Sequence, residues 1–134
     1  MGFDLMGRAT KNKKGEYFRN NVWWWRPLWA FVCDLCGDIL NDKDKENGSY
    51  NNGHPIEKEK ALAIAVRLKE KLADGTVEKM VRAHQKEVKR AEKENKGKKV
   101  GDAGYQWTAA YPATVKNVRD FAAFCENSEG FEIW

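Results

Sequence analysis

Two cysteines, Cys33 and Cys36, have the spacing of a metal-binding or redox motif, and Gly37 follows them directly. A zinc knuckle needs four ligands, but the third cysteine of the chain is the distant Cys125. A redox pair needs its first cysteine at a helix N-terminus, where the dipole lowers the thiol pKa. Both cysteines instead fit the apolar face of a helix that we predict from Pro27 onwards. We therefore expect buried thiols and no cofactor, with zinc at Cys33 and Cys36 as the weaker alternative.

An acidic cluster, Asp42, Asp44 and Glu46, lies between two predicted helices and raises the question of a calcium site. An EF-hand loop needs glycine at its sixth position and glutamate at its twelfth. Counted from Asp42, those positions hold Asn47 and Gly53, so both tests fail. We therefore predict a solvated acidic loop here.

Catalytic motifs are absent from the sequence. Neither Ser49 nor Ser128 lies in a nucleophile elbow, and no glycine-rich phosphate loop is present. His84 falls on the apolar stripe of its predicted helix, which favours a core or interface histidine. His54 precedes a helix, where it either caps that helix or faces a binding site. We expect a binding protein and not an enzyme.

The segment 15–29 is the strongest candidate for a binding site, because it holds four of the six tryptophans, two other aromatics and two arginines. Three consecutive tryptophans cannot all point into one core, whether the backbone is helical or extended. At least one should therefore lie at a rim, in a groove or against a partner, unless the aromatics only wedge the segment onto the helices. The candidate binding residues are Tyr17, Arg19, Trp23, Trp24, Trp25, Arg26 and His54.

Two kinds of partner suit such a surface. Tryptophan, tyrosine and arginine dominate the energetics of protein interfaces, which favours a protein partner. Aromatics beside arginines also stack bases and hold phosphates, which makes nucleic-acid or nucleotide binding the alternative. The net charge of +4 supports the alternative, since residues 76–99 carry nine basic and four acidic side chains. The alternative nucleic-acid surface consists of Arg82, Lys86, Lys89, Arg90 and Lys93.

The hydrophobic pattern of the 134 residues predicts one domain, 1–134, with a mainly α fold, α+β at most. We expect residues 16–25 to be extended, because Asn20-Asn21 disfavours a helix, and the first helix to begin at Pro27. Two more helices should meet at Asp74-Gly75 as an antiparallel αα-hairpin, with Thr76 as N-cap of the second.

A fourth helix should follow Thr114 as its N-cap. The alternating residues 3–5 and 131–134 at the two ends of the chain predict a short two-stranded β element that joins the termini. The odd cysteine count, the lack of a signal peptide and the lack of a long apolar run favour a cytoplasmic protein without a membrane segment.

Three parts of the chain resemble a family of small uncharacterised proteins from bacteriophages and bacterial genomes. They are the GEYFRNNVWWWRPLW motif, Asn52-Gly53-His54 and the C-terminal GFEIW, and the likeness spans about two-thirds of the chain. Some members carry a cysteine-rich, zinc-knuckle-like insertion where this chain has residues 96–111, which contain no cysteine. The resemblance implies an accessory protein that binds a host or viral protein in the host cytosol. Inhibitors of host defence, such as anti-CRISPR proteins, belong to this class.

Overall fold

The computed structural model describes residues 2–10, 12–107 and 112–134, so residues 108–111 of the segment 96–111 lie outside it. The described ranges contain four strands and five α-helices, which confirms the predicted mainly α or α+β class. The elements are β1 (Gly2–Gly7), β2 (Tyr17–Asn21), α1 (Val22–Leu35), α2 (Asp42–Asn47), β3 (His54–Ile56), α3 (Lys58–Ala73), α4 (Thr76–Glu94), α5 (Val115–Asn127) and β4 (Phe131–Ile133). Among the described helices, none combines the length and the apolar character that a membrane-spanning segment requires.

The strands form one antiparallel sheet in the order β2-β1-β4-β3. We predicted an element of two strands, whereas the sheet has four strands among the described residues. β1 pairs with both β2 and β4. Alternate residues face the core on one side of the sheet, where Phe3, Leu5 and Ile133 are buried. The first part of the segment 16–25, predicted to be extended, is β2, whereas β3 was missed because it is short and lies directly before a helix signal.

The first helix begins five residues earlier than Pro27, at Val22. Asn21, which we read as part of a helix breaker, is the N-cap: its side-chain oxygen accepts from the N–H groups of Trp23 at 3.1 Å and Trp24 at 3.2 Å. Asparagine is among the best N-cap residues because it satisfies such orphan donors. The tryptophan run is therefore the first turn of α1 and not an extended segment.

The predicted acidic loop contains the short helix α2. Asn41 and Asp44 form a reciprocal capping box, in which the Asp44 N–H donates to Asn41 Oδ1 at 2.8 Å and the Asn41 N–H donates to Asp44 Oδ2 at 3.1 Å. This Asn-x-x-Asp pair replaces the usual Ser/Thr-x-x-Glu signal, which is why the pattern was missed.

The ends of the other helices lie close to the positions that the sequence predicts. α3 and α4 are joined by Asp74-Gly75, but Gly75 and not Thr76 is the N-cap of α4. Thr76 is the first helical residue, and its N–H donates to Asp74 Oδ1 at 2.9 Å. The predicted cap of the last helix is confirmed, since Thr114 Oγ1 accepts from the Asn117 N–H at 3.1 Å.

The core is organised by a stack of three aromatic rings. Trp25 packs against Phe3 with ring centroids 5.5 Å apart and against Trp29 at 5.4 Å. The indole N–H of Trp25 donates to the Gly48 carbonyl at 2.7 Å, and that of Trp29 donates to the Lys45 carbonyl at 3.0 Å. Both bonds tie α2 to α1. Gly48 must be glycine for this approach, because a Cβ there would overlap the Trp29 indole.

Candidate interaction surfaces

The outer face of the sheet, opposite the core, carries three large apolar side chains. Met6 pairs with Tyr17 on β2, and both point outward together because cross-strand partners share a face. Trp134 follows β4 and lies opposite Asp4 of β1, to which it is joined by backbone hydrogen bonds of 2.7 Å and 3.1 Å, so its side chain is on the same face. Met6 is 43%, Tyr17 48% and Trp134 49% exposed, so the face is open to solvent.

Trp134 is fixed in place on this outer face. Its indole lies over Gly53, where a Cβ would overlap the ring. Its indole N–H donates to Glu132 Oε1 at 3.3 Å. A half-exposed tryptophan that is already ordered loses little conformational entropy when it is covered, which suits it to be an interface anchor.

A polar cluster crosses the same face. The Tyr17 hydroxyl donates to Asp4 Oδ1, and the Arg19 guanidinium donates to the same oxygen at 2.8 Å. The hydrogen bond from Tyr17, followed by that from Arg19, holds the pKa of the Asp4 carboxyl below its usual value. The cluster therefore presents fixed polar groups beside the apolar side chains.

The tryptophan run is divided between core and surface. Trp25 is 0% exposed, so it belongs to the core and cannot contribute a contact surface. Trp23 is 43% exposed, and Arg26, three residues later, is also exposed on α1. Trp24 is half-buried and lines a small cleft with Arg19 and residues of α5. The helix period explains this division, since consecutive side chains point about 100° apart.

His54 lies apart from the tryptophan run, in a half-buried charge cluster. Its Nε2 is 2.8 Å from Asp44 Oδ1, and Lys60 donates to the other oxygen of the same carboxylate. Burial acts to raise the pKa of Asp44, but the bonds from Lys60 and His54 outweigh it and lower that pKa. His54 therefore helps to fix α2 against β3, and the seven candidate residues do not form one surface.

The Cys33 and Cys36 thiols lie on α1 and at its end, with Cys36 fully buried and Cys33 half-buried. Burial raises the pKa of each thiol to about 11. Within the described ranges, no group of three or more His, Cys, Asp or Glu side chains is placed to hold a metal ion. The arrangement is that of packed thiols.

We expect these thiols to react slowly while the protein is folded. A rise in pKa from 9.0 to about 11 lowers the reactive thiolate fraction at pH 8 by about a hundredfold. Alkylation by iodoacetamide, followed by peptide mass spectrometry, should label Cys33 and Cys36 slowly in buffer and rapidly in urea. Rapid labelling of the folded chain, or a native mass that includes one zinc ion, would contradict this expectation.

A second surface, here called the basic cleft, lies at the C-terminal end of α4. The chain after α4 folds back towards the helix and lines an open cleft of about 1000 Å³ with it. Five cationic side chains and Tyr105 line it, with Glu92 as the one carboxylate among the lining residues that the structure describes. The cations are Lys89, Arg90, Lys93, Lys96 and Lys98.

The cleft includes three of the five residues of the predicted nucleic-acid surface. Arg82 and Lys86 lie one to two turns away on α4, and Arg82 pairs with Glu78 at 2.5 Å. His84, on another side of α4, is half-buried with its ring edge-on to Phe31 at 6.0 Å. The predicted nucleic-acid surface therefore does not run along α4 as one surface, and three of its residues cluster at the C-terminal end of that helix.

Several surface residues were missed by the sequence reasoning. Trp134 belongs to the segment 131–134 that was predicted to alternate, and Met6 directly follows the alternating residues 3–5; continued alternation places both opposite the buried residues. The missing information was the strand order, which sets Tyr17 beside Met6. Lys96, Lys98 and Tyr105 were missed because they follow the helix, and no periodic signal shows where a loop returns.

Comparisons with protein-family models, with curated proteins and with solved structures found no match for this chain.

Proposed function

We propose that this is a small non-enzymatic binding protein whose outer sheet face docks onto a partner protein. The observation that carries the proposal is that Met6, Tyr17 and Trp134 are all about half-exposed on the same face of the sheet. Aromatic and methionine side chains are enriched at protein interfaces, where a few of them supply most of the binding free energy.

The composition of the face indicates the chemistry of the partner. Its apolar centre needs an apolar surface opposite, while Asp4, Arg19 and Glu132 offer hydrogen-bonding groups at fixed positions. Two of these three side chains are carboxylates and one is a cation, so the face carries no excess of positive charge and suits a protein better than a polyanion. The resemblance to small phage proteins supports a host or viral protein as the partner. Inhibition of a host defence system such as CRISPR is the narrower form of this proposal.

The test is site-specific capture. A photo-crosslinking phenylalanine analogue is placed at Tyr17, or at Tyr50 as a control that is similarly exposed at 55% on another surface. Bacterial lysate is treated with nuclease, irradiated and analysed by mass spectrometry. We expect one protein to be crosslinked from position 17 and not from position 50.

The captured protein is then tested by direct binding. We expect Trp134→Ala to weaken the affinity at least tenfold, the effect of losing an interface anchor, and Tyr50→Ala to leave it unchanged. Thermal melts check that both variants are folded. Equal affinity of both variants would overturn the proposal, and a crosslink to a second copy of this chain would identify the face as a dimer interface.

A further inference from the structure

The loop that forms the basic cleft is held in place by hydrogen bonds. The Asn95 side chain clamps Gln106, donating to its carbonyl at 2.9 Å and accepting from its N–H at 2.6 Å. Within the loop, the Asp102 side chain accepts from the Lys99 N–H at 2.7 Å, and the Tyr105 N–H donates to the Asp102 carbonyl at 3.1 Å. The lysines on both sides of the cleft are therefore presented by an ordered backbone.

The positive charge of the cleft is largely uncompensated. Arg90 is engaged by Glu87 at 2.8 Å and by Glu94, so its charge is neutralised within α4. Lys89, Lys93 and Lys96 have no carboxylate within ion-pair distance among the residues that the structure describes. Such a concentration of lysines in a concave surface attracts polyanions, because binding releases the counterions that the polyanion carries.

An aromatic pair, with Tyr105 half-buried and Trp107 exposed, follows these lysines in the chain. Tyr105 lines the cleft, and its ring meets Trp107 edge-on with centroids 5.3 Å apart. Trp107 is 51% exposed, so about half of its side chain is accessible beside Tyr105. An open aromatic ring stacks on an unpaired base, whereas the bases of a duplex are already stacked on each other.

We propose that the basic cleft binds single-stranded nucleic acid. Lys89, Lys93, Lys96 and Lys98 contact consecutive phosphates, and Trp107 stacks on a base while Tyr105 supports its ring. This binding is independent of the protein-docking face, which lies on the outer side of the sheet and carries none of these residues.

The test measures the fluorescence anisotropy of a labelled 15-residue oligothymidine with wild type and two double variants. Lys89→Glu/Lys93→Glu reverses two charges in the cleft, and Lys13→Glu/Lys43→Glu reverses two exposed lysines elsewhere. Both variants change the net charge equally, so a non-specific charge effect weakens both alike. We expect the cleft variant to lose at least tenfold in affinity and the control less than twofold. The slope of log K, the association constant, against the logarithm of the salt concentration should be about 1.4 less steep in the cleft variant, because two phosphate contacts are lost.

Trp107→Ala tests the stacking step separately. We expect a loss of at least fivefold in affinity with an unchanged salt dependence, because stacking involves no counterion release. Trp134→Ala should bind the oligonucleotide as wild type does, which separates this proposal from the docking face. Equal losses of affinity in the two double variants would overturn the proposal that the cleft is the binding site. Equal affinity for a duplex of the same length, or equally strong competition by polyglutamate, would overturn single-strand binding.

Discussion

Replacement of Trp25 by alanine is expected to lower the free energy of unfolding by about 3–5 kcal/mol, the range for removal of a fully buried large aromatic. The change removes the middle ring of the Phe3–Trp25–Trp29 stack and leaves a cavity. It also removes the bond to the Gly48 carbonyl, a buried acceptor that then lacks its donor. Urea denaturation followed by circular dichroism measures the effect.

The neighbouring tryptophan provides the matched control. Trp23 is 43% exposed, so Trp23→Ala removes the same side chain from the same helix turn and leaves no core cavity. We expect a loss of less than about 1.5 kcal/mol there. Similar losses at both positions would show that the run is not divided between core and surface as described.

Replacement of Asp44 by alanine is expected to cost about 3 kcal/mol. Asp44 is 4% exposed and accepts hydrogen bonds from His54, from Lys60 and from the Asn41 N–H. Its loss leaves Lys60 without a partner in a half-buried site and opens the capping box of α2. Chemical denaturation at pH 7 measures the change. Asp42→Ala is the control, because Asp42 is exposed in the same helix turn, and its cost should stay within about 0.5 kcal/mol.

The same carboxylate should contribute to acid sensitivity. The pKa of Asp44 is lowered from 3.8 in the folded protein, so its contribution to stability is complete above the unfolded pKa. That contribution is lost as the pH falls through the folded pKa, when the carboxylate is protonated. The difference in unfolding free energy between wild type and Asp44→Asn should therefore be constant above about pH 5 and shrink below it. A difference that grows as the pH falls would contradict this reasoning.

Sequence reasoning assigned protein binding and, as its alternative, nucleic-acid binding to one aromatic segment. The two proposals place protein binding on the outer sheet face and nucleic-acid binding in the basic cleft. Of its residues, Tyr17 and Arg19 reach the outer sheet face, while Trp25 packs inside. The nucleic-acid alternative relied on the same tryptophans together with α4. In the structure the aromatics beside the lysines are instead Tyr105 and Trp107. Each surface has variants that leave the other unchanged, so the two proposals are tested independently.

The sequence by itself determined the local features of this protein. Amphipathic periodicity located three of the longer helices, and Asp74-Gly75 and Thr114 marked their ends, because caps and periodicity depend on neighbours within a few residues. Where local signals compete, sequence reasoning failed. Asn20-Asn21 fits both a break and an N-cap, and only burial of Trp25 and Trp29 on one helical face favours the helix from Val22.

The tertiary structure alone decided which residues become neighbours. Met6 lies on β1, Tyr17 lies on β2 and Trp134 directly follows β4, and the order β2-β1-β4-β3 that brings them to one face is a property of the whole chain. Tyr105 joins Lys89 in one cleft because Asn95 clamps the returning loop through Gln106. Strand order and loop return are set by the burial of the whole core, a sum over contacts distant in sequence. No short stretch of the chain encodes either.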